Sequence, residues 1–380
     1  MRQRTVNSLL GEVTFSRHYY HCTDCCQGSV PFDATIGLDS TRQTPGAREV
    51  IALGGTVDPF EESADKLIHK MSGLRVSEST VQRITEAVGA EIGVAQAQGQ
   101  LFGDSRPWAW HKDAEGKTVA YVATDATGVG MQGAKGARAD GRMVNVGMIY
   151  NPIPEDQSQW ADPQRTRRPP WQARYVTSMN GLEALATPLR QQGAQVGMDA
   201  AQRWIAISDA GNGLEDFLRT NFPRVEVVIV DFYHVAEYLG KIARAWYPMD
   251  EEASEAWCEK WCHDLKHEGG EVVLGRLREL ARQGVPCIVR VRLEEAIRYF
   301  ENHKHRMDYP LYRAKGWAIG SGPVESACKT VIGMRMKQGG MRWGEAGADA
   351  VSHIRGLFRS EKGQWDAFWQ RKPPNSSPQI

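Results

Sequence analysis

Long apolar runs are missing from this chain of 380 residues. No window approaches the roughly 20 apolar residues of a membrane-spanning helix. The opening, MRQRTVNSLLGEVTF, lacks the sustained apolar stretch of a secretory signal. An excess of charge of either sign is missing too. Lys plus Arg and Asp plus Glu stand at 46 each, so no global field draws the chain to a polyanion. That weighs against a protein that only binds nucleic acid and leaves room for an enzyme with a local basic channel. Cysteine is scarce: seven residues, an odd number, are too few for a disulfide scaffold at this length. A reducing cytoplasm is the simplest compartment, with no membrane partner. No internal repeat is present. What remains is an ordinary globular composition, 41% hydrophobic, long enough for two or three domains.

The chain divides by pattern. Residues 1–45 read as short strands and turns around Cys22-Thr-Asp-Cys25-Cys26, with Leu9–Phe15 and Arg17–Cys22 as a hairpin leading into a knuckle. Residues 46–105 change to a helical period. Glu61–Met71 reads as one helix, Ser72–Val76 as a turn, and Ser77 opens a second helix with Val81, Ile84, Val88 and Ile92 on one stripe. Ser79 with Gln82 fits a capping box. Two helices about a glycine-containing turn outline a helix-turn-helix, an outline any helical hairpin shares. Residues 106–234 alternate strand and helix signals, with strands expected at 119–124, 143–150, 174–179, 203–208 and 225–230 and helices at 181–192 and 213–221. Three strands, a helix, a strand, a helix and a strand is the order of a ribonuclease-H-like mixed α/β core. Residues 235–315 read as a helical insertion, 316–362 as a returning helix with carboxy-terminal helices, and 363–380 as a tail, disordered from Lys372.

Three carboxylates stand where a metal-dependent nuclease needs them. Asp125 ends the apolar run Val119–Thr124, Asp209 ends Trp204–Ser208, and Glu325 lies in GSGPVES, at the start of a helical pattern. Each has a plainer reading. A strand-terminal Asp is a common turn residue, and a Glu in the first helical turn complements the helix dipole. In the expected strand order, however, the first and fourth strands are neighbours. That adjacency brings Asp125 and Asp209 together, which two independent turn residues have no reason to do. Ala-Gly-Asn-Gly after Asp209 lets a phosphate or metal approach closely. Ser321 and Pro323 suit the cap and first position of the helix carrying Glu325, and its apolar set is Val324, Ala327, Cys328 and Val331. Two glycines in Ile319-Gly-Ser-Gly-Pro point to unusual backbone freedom. Asp231 and His234, three apart, fall on one helical face. They read equally as a supporting or alternative ligand pair and as a satisfied structural pair. Arg335, Lys337 and Arg342 follow Glu325 as candidate phosphate contacts, or as an ordinary solvated helix end. Arg165–Trp171 combines charge with an aromatic, a DNA contact or a solvated loop. Cys258-x3-Cys262-His263 reads as a buried Cys pair.

Four blocks carry a resemblance to a known family: YVATDATGV, ISDAGNGLEDFLRTNFP, VDFYHVAEYL and YFENHKHRMDYPLYRAKGWAIGSGPVESACKTVIGMRMKQGGMRW. They resemble bacterial insertion-sequence DDE transposases of the Mutator-like superfamily, in the Kra-type group. The blocks fall within residues 121–343, and the last is the most specific. The resemblance implies Asp125, Asp209 and Glu325 as catalytic ligands of two Mg²⁺ or Mn²⁺ ions. It places Asp231-x-x-His234 as the element before the final Glu. It also implies DNA as partner, both element ends and target, a homo-oligomer bridging two ends, and a nucleoid-associated cytoplasmic location. The amino terminus resembles the second half of a zinc ribbon. Cys22-x2-Cys25 is its candidate residual zinc knuckle, with Cys26, His18 or His21 as further donors. Relatives carry an upstream pair, so the chain is expected to be truncated at its start. Two other function classes stay open: a DNA-binding protein derived from a transposase and without catalysis, and a related structure-selective nuclease that never joins ends.

Overall fold

The computed structural model describes residues 1–38, 41–152, 172–211, 213–320, 322–361 and 363–371. The loop Arg165–Trp171, the Ser321 cap and the tail from Lys372 lie outside the described residues. Two compact units emerge. One comprises Met1–Gly103, Gly128–Val144 and Thr330–Ile380, the other Asp104–Thr127 and Asn145–Lys329.

In the first unit, β1 (Arg2–Ser8) and β2 (Gly11–Arg17) form an antiparallel hairpin, and β3 (Tyr20–His21) pairs with β4 (Gly28–Ser29) across the Cys knuckle. The expected hairpin is thereby shifted. The partner of Gly11–Arg17 is the preceding segment, because Ser8 opposes Gly11 across a two-residue turn whose Gly11 takes φ 98°. Cys22 and Cys25 are exposed, and hydrogen bonds from Cys25 and then from the Asp24 backbone hold the Cys22 thiol below its usual range.

The two expected helices appear as Phe60–Ser72, with a π-helical stretch at Ser63–Ile68, and Glu78–Ala97. Gly73 turns between them in the left-handed region, φ 73°. Ser77 is the cap, accepting from the Thr80 N–H; Ser79 lies inside the helix, so the Ser79/Gln82 box does not form. Val81, Ile84, Val88 and Ile92 are buried with Ile51, Ile68, Ile354, Leu357 and Phe368 in one core.

A mixed sheet comprises β5 (His111–Lys112), β6 (Thr118–Gln132), β7 (Arg138–Asn151), β8 (Gln172–Ser178), β9 (Arg203–Ser208) and β10 (Val225–Val230), all in the second unit except Gly128–Gln132 of β6 and Arg138–Val144 of β7. The order is β10-β9-β6-β7-β8, with β5 on β6. β6, β9 and β10 run parallel, while β7 and β8 are antiparallel. All six residues of β9 are buried, the signature of a strand covered on both faces. One face carries Leu185, Leu189, Phe217, Leu218 and Phe222 against Val122, Ala206 and Val228. The helices there are Ala186–Gln195, after a 3₁₀ turn at Leu182–Leu185, and Leu214–Asn221.

Four helices follow β10: Phe232–Trp246, Glu251–Glu268, Gly270–Arg282 and Cys287–His303. Cys258 and Cys262 face each other one turn apart, Sγ to Sγ 3.9 Å, half-buried. Among the described residues, no helix is long and apolar enough to cross a membrane.

Candidate active site

The site follows from strand register. Thr124 of β6 pairs with Ser208 of β9, and Ser208 pairs with Val230 of β10. The next residue on each strand is an aspartate: Asp125, Asp209 and Asp231. Three parallel neighbours in register set these carboxyl groups abreast at one end of the sheet. The expected meeting of Asp125 and Asp209 is therefore present. One detail differs. β6 does not end at Asp125 but continues to Gln132, past Thr124, the last residue paired with β9.

Local chemistry fixes each carboxylate. Asp125 Oδ1 accepts from the Ala126 N–H at 2.7 Å, and the Cys328 thiol also hydrogen-bonds it. Asp209 Oδ1 accepts from the Gly211 N–H at 3.0 Å. A side chain at Gly211 would meet that oxygen at 3.0 Å, so this glycine serves the carboxylate itself. Asp231 is the N-cap of the helix Phe232–Trp246, accepting from the Tyr233 N–H at 3.0 Å, and is 2% exposed. Capping is worth about 1 kcal/mol, so Asp231 has a structural task of its own. His234 stands between two of the three aspartates, Nε2 3.9 Å from Asp209 Oδ2 and Nδ1 3.8 Å from Asp231 Oδ2.

Glu325 reaches the same place from far along the chain. Gly322–Ala327 is a helix with Glu325 in its first turn, and Val324, Ala327 and Cys328 are buried. The preceding loop is docked by the Phe232 N–H, which donates to Ile319 O at 2.9 Å. Gly320 packs so closely there that a Cβ would lie 2.7 Å from the Tyr233 ring. Its φ is not left-handed, so Gly320 meets a need for space and not for an unusual backbone angle. A cavity of about 120 Å³ results, lined by Asp125, Asp209, Asp231, Tyr233, His234, Glu237, Val324 and Glu325. Burial, with the Asp209 charge added, pushes the Asp125 carboxyl above its usual range.

Five carboxylates and an imidazole around one small cavity form a hard, oxygen-rich donor set that suits Mg²⁺ or Mn²⁺. Burial is the main cause of the raised Asp125, and the Asp209 charge adds to it. Asp125, Asp209 and Glu325 are the side chains of this lining that could offer oxygens to such an ion. Among the described residues, no three His, Cys, Asp or Glu side chains stand close enough to clasp an ion as they are, at this cavity or at the Cys22/Cys25 knuckle.

Other expected site residues fall elsewhere. Arg335 is fully buried in the first unit. Its Nε donates to Gly55 O at 2.9 Å, and its guanidinium lies over Phe60 at 4.6 Å and Trp343 at 5.1 Å. Arg335 is thus a core residue and not a phosphate contact: its charge is sequestered between two rings, and burial lowers its pKa to about 10. Arg335→Ala is expected to cost roughly 3 kcal/mol by stranding Gly55 O and emptying the aromatic slot, read as a lower midpoint in urea. Lys337 and Arg342 are exposed.

Sequence reasoning missed Glu237, which lines the cavity one turn after His234, and the buried brace beneath it. Arg306, 2% exposed, donates from Nε to Val228 O and from Nη2 to Ser208 Oγ, each at 2.9 Å, and lies 3.5 Å from Glu215. The Tyr309 hydroxyl donates to Val230 O at 3.0 Å. Both side chains tie down the ends of β9 and β10. An Arg and a Tyr inside KHRMDYPLY, on either side of the Asp308 cap of the helix Tyr309–Ala314, were the available signal. No protein-family model matches the chain, and no curated protein is significantly similar to it.

Proposed function

We propose that this chain is a DDE-type transposase on a ribonuclease-H-like scaffold, cutting and joining DNA strands with divalent cations. The observation that carries the reading is the in-register parallel set β6, β9, β10, which aligns Asp125 and Asp209 on a cavity that Glu325 also lines. The sheet order β10-β9-β6-β7-β8, antiparallel on one side and parallel on the other, supports the scaffold. Two Mg²⁺ or Mn²⁺ ions would supply Lewis-acid activation of water and of the scissile phosphate.

The chain's own residues have separate tasks in this reading. Asp125 and Asp209 are held by backbone N–H groups and by the sheet, so they give fixed oxygen donors. Glu325 closes the site from its helix. His234, between Asp209 and Asp231, orients the Asp209 carboxylate and offers a ring nitrogen for the proton released when water attacks. In-line attack by water breaks the P–O3′ bond of the neighbouring strand end and frees a 3′-hydroxyl. The hydrolysis leaves a 5′-phosphate on the other strand end; the hydroxyl then attacks a phosphodiester of target DNA and displaces a second 3′-oxygen, so phosphodiester number is conserved in this joining step.

The test uses the full chain with duplexes carrying the DNA that flanks its gene, in Mg²⁺ or Mn²⁺, with a precut end and a target plasmid supplied separately. Metal-dependent nicking and covalent joining to the plasmid are expected. Nicking without joining supports the structure-selective nuclease instead. DNA binding with neither supports the inactive derivative.

A further inference from the structure

The helix Phe232–Trp246 carries two unlike sites on one face. His234 and Glu237 line the acidic cavity. Lys241, Arg244 and Ala245 line a separate groove of about 320 Å³, completed by Ile288 and Arg292 of the helix Cys287–His303. At 3.6 residues per turn, positions 234, 237, 241, 244 and 245 fall on a single stripe. At 1.5 Å per residue, Lys241 and Arg244 lie about 10 and 15 Å along the axis from His234.

The charges of the groove are unlike those of the cavity. Among the described residues, its lining holds three cations and no carboxylate. Arg292 is paired with Glu295 at 2.8 Å, which offsets part of that charge. Lys241 and Arg244 are exposed; the Lys241 ammonium sits over the Tyr238 ring at 4.7 Å, which holds the side chain along the stripe. Ile288, 57% exposed, gives the groove an apolar wall. Cations beside an aliphatic wall suit a polymer of phosphates and sugars better than an isolated inorganic anion, which would need a closed cradle of donors.

We propose that this groove receives the phosphodiester backbone of duplex DNA, about three or four nucleotides from the phosphate reacting at the acidic cavity, at 3.4 Å of rise per nucleotide. The inference rests on the nuclease reading of that cavity. Its contribution is backbone attraction without sequence preference. The helix acts as a ruler, aligning the strand so that one phosphate falls at Asp125 and Asp209 while a neighbour is neutralised at Lys241 and Arg244.

Binding of a fluorescent duplex of unrelated sequence, followed by anisotropy in EDTA between 50 and 200 mM KCl, tests this without using the metal site. Lys241→Ala/Arg244→Ala/Arg292→Ala is expected to bind at least ten-fold more weakly at 100 mM KCl. The slope of log affinity on log salt should flatten by about 2 to 3, one phosphate contact per cation lost. Since Arg292 also pairs with Glu295, Lys241→Gln/Arg244→Gln is the second variant, with a flattening of about 2. If the wild-type chain binds and cleaves DNA while both variants keep its affinity and slope, the groove assignment is overturned and the nuclease reading stands. If the wild-type chain binds no DNA, the groove assignment falls, and absence of cleavage then removes the nuclease reading too.

Discussion

Asp125→Ala is expected to abolish metal-dependent strand cleavage, by about 10³-fold or more, with the fold retained. The magnitude follows from the loss of a cation ligand whose work is worth several kcal/mol in the transition state. The retained fold follows from what the side chain does in the protein alone. Its carboxylate accepts from the neighbouring Ala126 N–H and is bonded by the Cys328 thiol, neither of which holds a distant element in place, and burial makes its charge a cost. The sign of that cost gives a second readout. The Asp125 pKa is raised in the folded state, first by desolvation, so without metal the folded chain is most favoured when this carboxyl is protonated. Stability then declines as pH rises from the usual carboxylate range through the raised value. At neutral pH, Asp125→Asn should therefore raise the thermal midpoint of the metal-free chain while cleavage is lost. Glu325→Ala should lose cleavage to a similar extent, but Glu325 is exposed, and its replacement should leave the midpoint nearly unchanged. Full cleavage by both variants would remove the catalytic assignment.

Arg306→Ala is expected to destabilise the second unit by about 3 kcal/mol, chiefly the cost of stranding two buried acceptors. The partners here are Ser208 Oγ, directly before Asp209, Val228 O, near the end of β10, and Glu215 of the helix Leu214–Asn221. Loss of the brace should loosen the level at which the aspartates stand. At a temperature where the variant remains folded, the Mn²⁺ concentration for half-maximal cleavage should rise more than the maximal rate falls. A purely global destabilisation would lower the folded fraction without moving that concentration. Arg306→Lys keeps a charge opposite Glu215 but cannot span both strand ends, and should recover stability in part.

Strand residues in the second unit were readable because their physics is local. Arg203–Ser208, buried throughout, and Val225–Val230, buried except around Glu226, match their expected bounds because a continuous apolar run bounded by turn residues has no competing period. The meeting of Asp125 and Asp209 needed only the strand order. The role of Glu325 was half legible: its helix and buried face were written in Val324, Ala327 and Cys328, but its arrival depends on Gly320 packing under Tyr233. That is a contact between distant segments with no periodic trace. Arg335 shows the opposite failure. Basic residues after a candidate catalytic helix resemble a phosphate contact in sequence, yet its neighbours in space, Phe60 and Trp343, make it a core cation. Arg306 and Glu237 were invisible for a related reason: what an Arg or Glu on a helix does depends on what packs against it. Ser77 displaced Ser79 as cap because the helix begins one residue after Ser77, a boundary that pattern alone fixes poorly.

The central claim is that Asp125, Asp209 and Glu325 together hold divalent cations. It is tested most directly by titrating the protein with Mn²⁺ and following the free-ion signal by electron paramagnetic resonance. The account predicts saturable binding by the wild-type chain that is lost in Asp125→Asn/Glu325→Gln and is displaced by excess Mg²⁺. Equal Mn²⁺ binding by the substituted and wild-type chains, or no saturable binding by the wild type, would contradict it.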